Sequence, residues 1–355
     1  MIEKRKIEPL KIGDLVANIP VIQGGMGVGI SLSGLAGAVA AKGGIGILSA
    51  AQIGFRDPEF DLHPLETNLR VIGEEIAKAK ELSHGGIIGI NIMVATKYYD
   101  RYVKAAVEAG VDLIICGAGL PMTLPALVGD AKTKIAPVVS SVKSADVICK
   151  YWLKKYNRLP DLVVIEGPRA GGHLGFKPEQ LEDIEALDYE NEIIATIDKV
   201  NAYAAENKTM IPCVVAGGIY DRADMEHALS LGAAGVQMAT RFVTTYECDA
   251  SDAYKQAYID ARKEDIIIVQ SPVGMPGRAI MNPFMERAKA GQIPHGRCHQ
   301  CISTCKGADT PYCITEALIN AATGKVDEAL LFCGDNAYRA TKLEHVADIM
   351  DELGR

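Results

Sequence analysis

No apolar run in this 355-residue chain reaches the roughly 18 residues that a membrane-spanning helix requires, so a membrane protein is not expected. The opening stretch, Met1-Ile2-Glu3-Lys4-Arg5-Lys6-Ile7-Glu8, lacks the apolar centre of a secretory signal, and a cytoplasmic location is expected. Positive charge is also in deficit: 37 Lys and Arg stand against 45 Asp and Glu, a formal net charge of −8. That balance argues against nucleic acid as a partner, because a phosphate backbone selects basic surfaces. A further absence is the GxGxxG turn that a doubly wound dinucleotide-binding fold carries after its first strand. The nearest run, Gly24-Gly25-Met26-Gly27-Val28-Gly29, has the wrong spacing. Hydrophobic residues at 48% with charged residues at 23% mark a well-cored globular chain.

Short β-branched runs alternate with longer amphipathic stretches. The expected strands are Val21–Gln23, Gly46–Ser49, Ile87–Ile92, Leu113–Cys116, Ala136–Ser140, Leu162–Glu166, Cys213–Ala216 and Gly235–Met238. Each is continuously apolar, as parallel strands covered on both faces are. Helical patterns lie between them, at Leu32–Ala41, Glu66–Leu82, Tyr99–Ala109, Thr123–Val128, Ala145–Tyr156, Asn191–Ala205 and Arg222–Leu231, with another near Asp252–Ala261. The count and spacing predict an α/β chain built as a (β/α)8 TIM barrel. The barrel is expected over residues 10–262. Residues 263–355 are expected to form a cysteine-rich appendage packed on it. Its parts are an ordered loop over Gln270–Pro283, the cysteine segment, and helices near Ile314–Ala322 and Lys342–Leu353.

Such barrels place their chemistry at the C-terminal ends of the strands. There, Leu162-Val163-Val164-Ile165 runs into Glu166-Gly167-Pro168-Arg169-Ala170-Gly171-Gly172-His173. Gly171 and Gly172 let the backbone approach a flat ligand, and His173 can exchange a proton near neutral pH. Ala216-Gly217-Gly218-Ile219 and Met238-Ala239-Thr240-Arg241 follow the seventh and eighth strands, where barrels often hold phosphate. Gln23-Gly24-Gly25-Met26, Asn91, Gly117 and Lys143 stand at other strand ends. Together they suit a planar, phosphorylated heterocycle. Flavin mononucleotide fits, with amides for its ring edge and glycines for its face, and other phosphorylated ligands stay open.

Several of these stretches resemble the nitronate monooxygenase (2-nitropropane dioxygenase) family, which includes an FMN-dependent enoyl-acyl-carrier-protein reductase. They are Ile19-Pro20-Val21-Ile22-Gln23-Gly24-Gly25-Met26, Gly89-Ile90-Asn91-Ile92-Met93, Ala170-Gly171-Gly172-His173-Leu174-Gly175, Ala216-Gly217-Gly218-Ile219 and Gly235-Val236-Gln237-Met238-Ala239-Thr240-Arg241-Phe242. The resemblance covers roughly residues 10–285 and implies FMN over the strand ends. Its phosphate would lie at Gly217, Gly218, Gln237 and Thr240, with Met238 and Glu166 also at the cofactor. It also implies that His173 is the acid/base beside flavin N5, acting on a small nitroalkane or nitronate. The rival readings are NAD(P)H-dependent reduction of an enoyl thioester and a flavin or iron–sulfur electron carrier or redox sensor. Ala239 departs from the glycine common in relatives, and Arg278 is read either as an anion binder or as a tie between loop and barrel. The expected partner is a small-molecule substrate, with a homo-oligomer left open.

Cys298, Cys301, Cys305 and Cys313 form a C-x2-C-x3-C-x7-C pattern. Thiolates this close in sequence can wrap one inorganic centre: a [4Fe–4S] cluster, a structural zinc, or none. The segment looks like the cluster region that follows the barrel in the iron–sulfur relatives of old yellow enzyme.

Overall fold

The computed structural model describes residues 7–306 and 310–355; residues 1–6, read above for a signal, lie outside them. The chain opens with an antiparallel hairpin, β1 (Leu10–Ile12) and β2 (Leu15–Ala17). Then follow β3 (Val21–Gln23), α1 (Ser33–Ala41), β4 (Ile45–Ser49), α2 (Pro64–Leu82), β5 (Ile87–Asn91), α3 (Tyr99–Glu108), β6 (Leu113–Cys116), α4 (Leu124–Val128), β7 (Lys134–Val139), α5 (Val142–Tyr156) and β8 (Val163–Glu166). After the short β9 (Gly172–His173) and α6 (Pro178–Glu182) come α7 (Tyr189–Glu206), β10 (Cys213–Ala216), α8 (Arg222–Ser230), β11 (Gly235–Met238), α9 (Thr240–Val243) and α10 (Asp252–Asp260). The eight strands β3 to β8, β10 and β11 close into a parallel barrel, with β11 pairing back onto β3. The expected TIM barrel is therefore what the chain forms, and its strands lie within two residues of the apolar runs.

Alternate residues of each strand serve two cores. Ile22, Ile47, Ile115, Val164 and Val214 pack inside the barrel. Val21, Leu48, Ile114, Ile165 and Val236 pack outward against the helices. The hairpin contributes Leu10, Ile12 and Ala17 to the inner cluster. A salt bridge from Lys134 Nζ at the start of β7 to Asp14 Oδ1, 2.5 Å long, places that hairpin at the N-terminal end of the barrel. The bottom is thereby plugged with hydrocarbon, and the opposite end is left for ligands. Neither the hairpin nor α6 is marked by a long apolar run, and neither was expected.

Gln23 is structural. Its amide is fully buried, its Oε1 accepts from Ile47 N–H at 3.1 Å and its Nε2 donates to the Gly24 carbonyl. Pairing between β3 and β4 is registered at Ile22 and Ile45 alone, so the side chain continues the ladder where the backbones diverge.

The expected loop over Gln270–Pro283 is instead largely a hairpin, β12 (Ile266–Gln270) and β13 (Pro276–Ile280). β13 also pairs with β9, matching Gly277 with His173 and Arg278 with Gly172. α11 (Pro283–Ala290), α12 (Ile314–Thr323) and α13 (Val346–Gly354) complete the chain. α13 buries Val346, Ile349, Met350 and Leu353 in the outer barrel core. Arg241, at the end of the eighth strand, joins it there by ion pairs to Glu344 and Glu352 at 3.1 and 2.6 Å. None of the helices among the described residues is long and apolar enough to cross a membrane.

Close approach of α1 to β4 depends on Gly46, where an added Cβ would lie 1.8 Å from the Ala36 carbonyl oxygen. That contact is backbone and cannot yield. Gly46→Ala should cost about 3 kcal/mol or more by urea unfolding, or abolish soluble expression; wild-type stability would contradict the packing described.

Candidate active site

At the C-terminal end of the barrel lies a cavity of about 250 Å³. Register sets its floor: Glu166 pairs with Ala216, and Ala216 with Gln237, so these rim positions stand side by side. Gly24 approaches the Gln237 side chain, and a Cβ on it would lie 3.4 Å away. Gly25 faces Asn91 so closely that a Cβ would come within 2.5 Å of the Asn91 Cβ. Gly217 and Gly218 have φ values of 95° and 81°, a conformation that side-chain-bearing residues resist. Thr240 sits beside them, and its Oγ1 accepts from Gly334 N–H at 3.1 Å.

Of the residues expected in the site, Gly24, Gly25, Met26, Asn91, Gly117, Glu166, Gly171, Gly172, His173, Gly217, Gly218, Gln237 and Thr240 line this cavity. Gln23, Met238 and Lys143 do not. Gln23 is spent on the strand ladder. Met238 is 1% exposed in the outer core, because strand alternation turns it away from the rim side of Gln237. Lys143 lies in the first turn of α5 and is exposed to solvent.

His173 is held by β9–β13 pairing, and its Nε2 lies 2.7 Å from Ser271 Oγ. Phe332 packs edge-on to the imidazole at 4.9 Å between ring centres. Burial pushes the imidazole pKa down to about 4, so the ring is neutral at physiological pH. Glu166 moves the opposite way: burial raises its carboxyl to about 7. Among the described residues that carboxyl has no hydrogen-bond or ion-pair partner. Arg278 proves to be a tie between loop and barrel. It is 3% exposed, and its guanidinium donates to the Pro168 carbonyl at 2.8 Å and to the Ala170 carbonyl.

Sequence reasoning missed the roof. Phe332, Cys333 and Gly334 line the cavity from above, and a Cβ on Gly171 would lie 2.6 Å from the Cys333 carbonyl carbon. Asp335 N–H donates to the Arg169 carbonyl at 3.1 Å, and Asn336 Nδ2 donates to the Gly218 carbonyl. The turn-rich run Gly334-Asp335-Asn336 was the available signal. Tyr254 and Tyr258, one helical turn apart on α10, both donate to the Phe332 carbonyl.

The four cysteines of the segment lie near one another, and Cys301 feels Cys313, Cys305 and Cys298 together. No group of three or more His, Cys, Asp or Glu side chains among the described residues is gathered to hold a metal ion. Cys298 and Cys305 are exposed, Cys301 lines the cavity, and Cys313 precedes α12 at its N-cap.

The glycine cradle, the Thr240 hydroxyl, the rim amides and the imidazole together suit a phosphorylated planar ligand. The family model for nitronate monooxygenase matches residues 9–355. The "Probable nitronate monooxygenase" of Staphylococcus haemolyticus is 24% identical, over 94% of this chain and 92% of that protein. A protein of Mycobacterium tuberculosis named (3aS,4S,5R,7aS)-5-hydroxy-7a-methyl-1-oxo-octahydro-1H-indene-4-carboxyl-CoA dehydrogenase is 25% identical, over 78% of this chain and 67% of its own length. Among solved structures, FabK from Thermotoga maritima superposes with a TM-score of 0.71 at 23% identity, over 95% of this chain and 92% of that one. The nitroalkane oxidase of Streptomyces ansochromogenes gives a TM-score of 0.71 at 19% identity, over 94% of each chain. At those identities the two structures speak for the fold.

A carboxyl whose folded pKa lies above its unfolded value holds its proton more tightly in the native state, so it costs stability as pH rises from 4.5 through about 7. Glu166→Gln removes that cost. In ligand-free protein its stability relative to wild type should grow between about pH 5 and pH 8, to a ceiling of ~3 kcal/mol by urea unfolding. An equal difference at both pH values would contradict the carboxyl's environment.

Proposed function

Because the chain belongs to the nitronate monooxygenase family, and is thus an oxidoreductase, we propose that it uses FMN to oxidise a small nitroalkane or nitronate. The observation that carries this reading is the neutral, half-buried His173 imidazole, hydrogen-bonded to Ser271 and set in the same cavity as the Gly217-Gly218 cradle. The barrel residues fit the cofactor: the positive-φ glycines and Thr240 would take its phosphate, and Gln237 and Asn91 would meet the ring edge. When bound, FMN would supply the two-electron acceptor at N5, which no side chain can provide.

The protein's share is proton handling and enclosure. When Nε2 donates to Ser271 Oγ, Nδ1 is left as a lone-pair nitrogen with no hydrogen-bond partner among the described residues. Burial, which lowers the imidazole pKa to about 4, keeps that lone pair unprotonated across the physiological range and also weakens it as a base, a loss that an anion formed beside the imidazolium would offset. That suits removal of the acidic proton beside a nitro group. Phe332 covers one side of the imidazole, and the rest of the roof lines the cavity around it. Glu166, its carboxyl raised by burial to about 7, faces the cavity about half protonated at neutral pH, so a donor form is available there.

The rival reading, reduction of an enoyl thioester with NAD(P)H, is separated by substrate. Flavin-loaded protein should turn over an alkyl nitronate with oxygen and leave crotonyl thioester and NADH unconsumed; the reverse pattern would transfer the assignment to the reductase. His173→Ala should retain flavin while turnover falls at least about tenfold, the lower end of general-base contributions being larger still. Undiminished steady-state turnover would remove His173 from the chemistry.

A further inference from the structure

Along one wall of the cavity runs a chain of buried amides and hydroxyls that the chemistry above leaves unused. Gly54 N–H donates to Asn68 Oδ1 at 2.8 Å, which determines the orientation of the Asn68 amide. Asn68 Nδ2 then donates to Gln52 Oε1 at 2.7 Å and to the Tyr102 hydroxyl at 2.8 Å. Gln52 Nε2 continues to Thr315 Oγ1 at 3.4 Å. Asn68 is 1% exposed, Thr315 2%, and Gln52 and Tyr102 5% each.

Both amides are therefore oriented by their neighbours. One group is left over. The Tyr102 hydroxyl accepts from Asn68, and among the described residues no acceptor takes its own proton. Burial holds the phenol pKa well above its ordinary value, so that proton stays on oxygen. Gln52, Tyr102 and Thr315 all line the cavity, beside the apolar surface of Ile302, Ile314 and Leu318. A buried hydroxyl proton without an acceptor is costly, and a ligand that supplies the acceptor removes the cost.

We infer that Tyr102 binds the substrate, its O–H donating a hydrogen bond to an anionic oxygen of a small organic acid whose alkyl part lies on Ile302, Ile314 and Leu318. In the oxidoreductase reading, on which this inference rests, that oxygen is a nitronate oxygen. Asn68 is a positioning residue: by occupying a lone pair of the phenol oxygen, it leaves the hydroxyl proton for the ligand. A hydrogen bond to a charged acceptor is stronger than one to a neutral acceptor, so this wall favours the anion over the parent nitroalkane.

The test uses flavin-loaded protein under anaerobic conditions, titrated with propane-2-nitronate and separately with 2-nitropropane, and followed through the flavin absorbance. Wild type should bind the anion more tightly than the neutral compound. Tyr102→Phe keeps the ring and its burial, and flavin content and melting temperature report whether it is folded. In that variant the Kd for the anion should rise about tenfold or more, with the Kd for 2-nitropropane changing less than about twofold. Equal weakening of both would make Tyr102 a packing residue and overturn the inference, as would an unchanged Kd for the anion. Should the variant fail to fold, the wild-type preference decides: equal affinity for the two compounds overturns the inference. Protein that takes up no flavin at all defeats the oxidoreductase reading itself, a separate outcome.

Discussion

The guanidinium of Arg278 holds together what the site needs. The loop after β8 must leave the barrel, present Gly171 and Gly172 without side chains, and return an imidazole over the opening. Such a loop has backbone carbonyls pointing inward, where water cannot reach them. Arg278, reaching from β13, satisfies the Pro168 and Ala170 carbonyls at once, and its own strand pairs with Gly172 and His173. The charge is matched by Asp335, whose carboxylate lies 3.8 Å from Arg278 Nε and also accepts from Arg169 Nη1. Removing one partner of such a buried arrangement strands the others, so the His173 loop, hairpin and roof stand or fall as a unit.

That unit creates an electrostatic condition unusual for a chain with an acidic surplus. Inside the cavity the two ionisable groups closest to the proposed chemistry are both pushed toward neutrality: the histidine has lost its proton and the glutamic acid is about half protonated at neutral pH. A site with reduced fixed charge suits an enzyme whose substrate passes through an anionic form, because the repulsion of a fully ionised carboxylate is lessened. Tyr102, oriented by Asn68, adds a donor without adding a charge.

Much of the barrel was legible because parallel strands buried on both faces have to be continuously apolar, and runs such as Leu113–Cys116 satisfy that demand in both inward and outward positions. The small-residue loops were legible for a related reason: few sequences other than Ala-Gly-Gly-His permit so close an approach. The errors cluster where one residue of alternation or one helical turn decides the direction of a side chain. Met238 borders Gln237 yet points to the outer core, and Lys143 begins a helix whose first turn faces water. Gln23 looked like a ligand for a ring because a buried amide in a strand is unusual, and its true partner was the neighbouring backbone. Tyr102 was hidden inside an amphipathic helix, where a phenol reads as ordinary core. The cysteine spacing spoke of proximity along the chain, and the four thiols also lie close enough in space to shift one another's pKa.

The roof has a consequence for biogenesis. Phe332, Cys333 and Gly334 complete a chamber whose floor is laid down some hundred to three hundred residues earlier. A ribosome emitting the chain from its beginning would release a closed barrel with an open top long before those residues emerge. Closure of the chamber then becomes one of the last events of maturation, after every barrel residue on its floor has emerged.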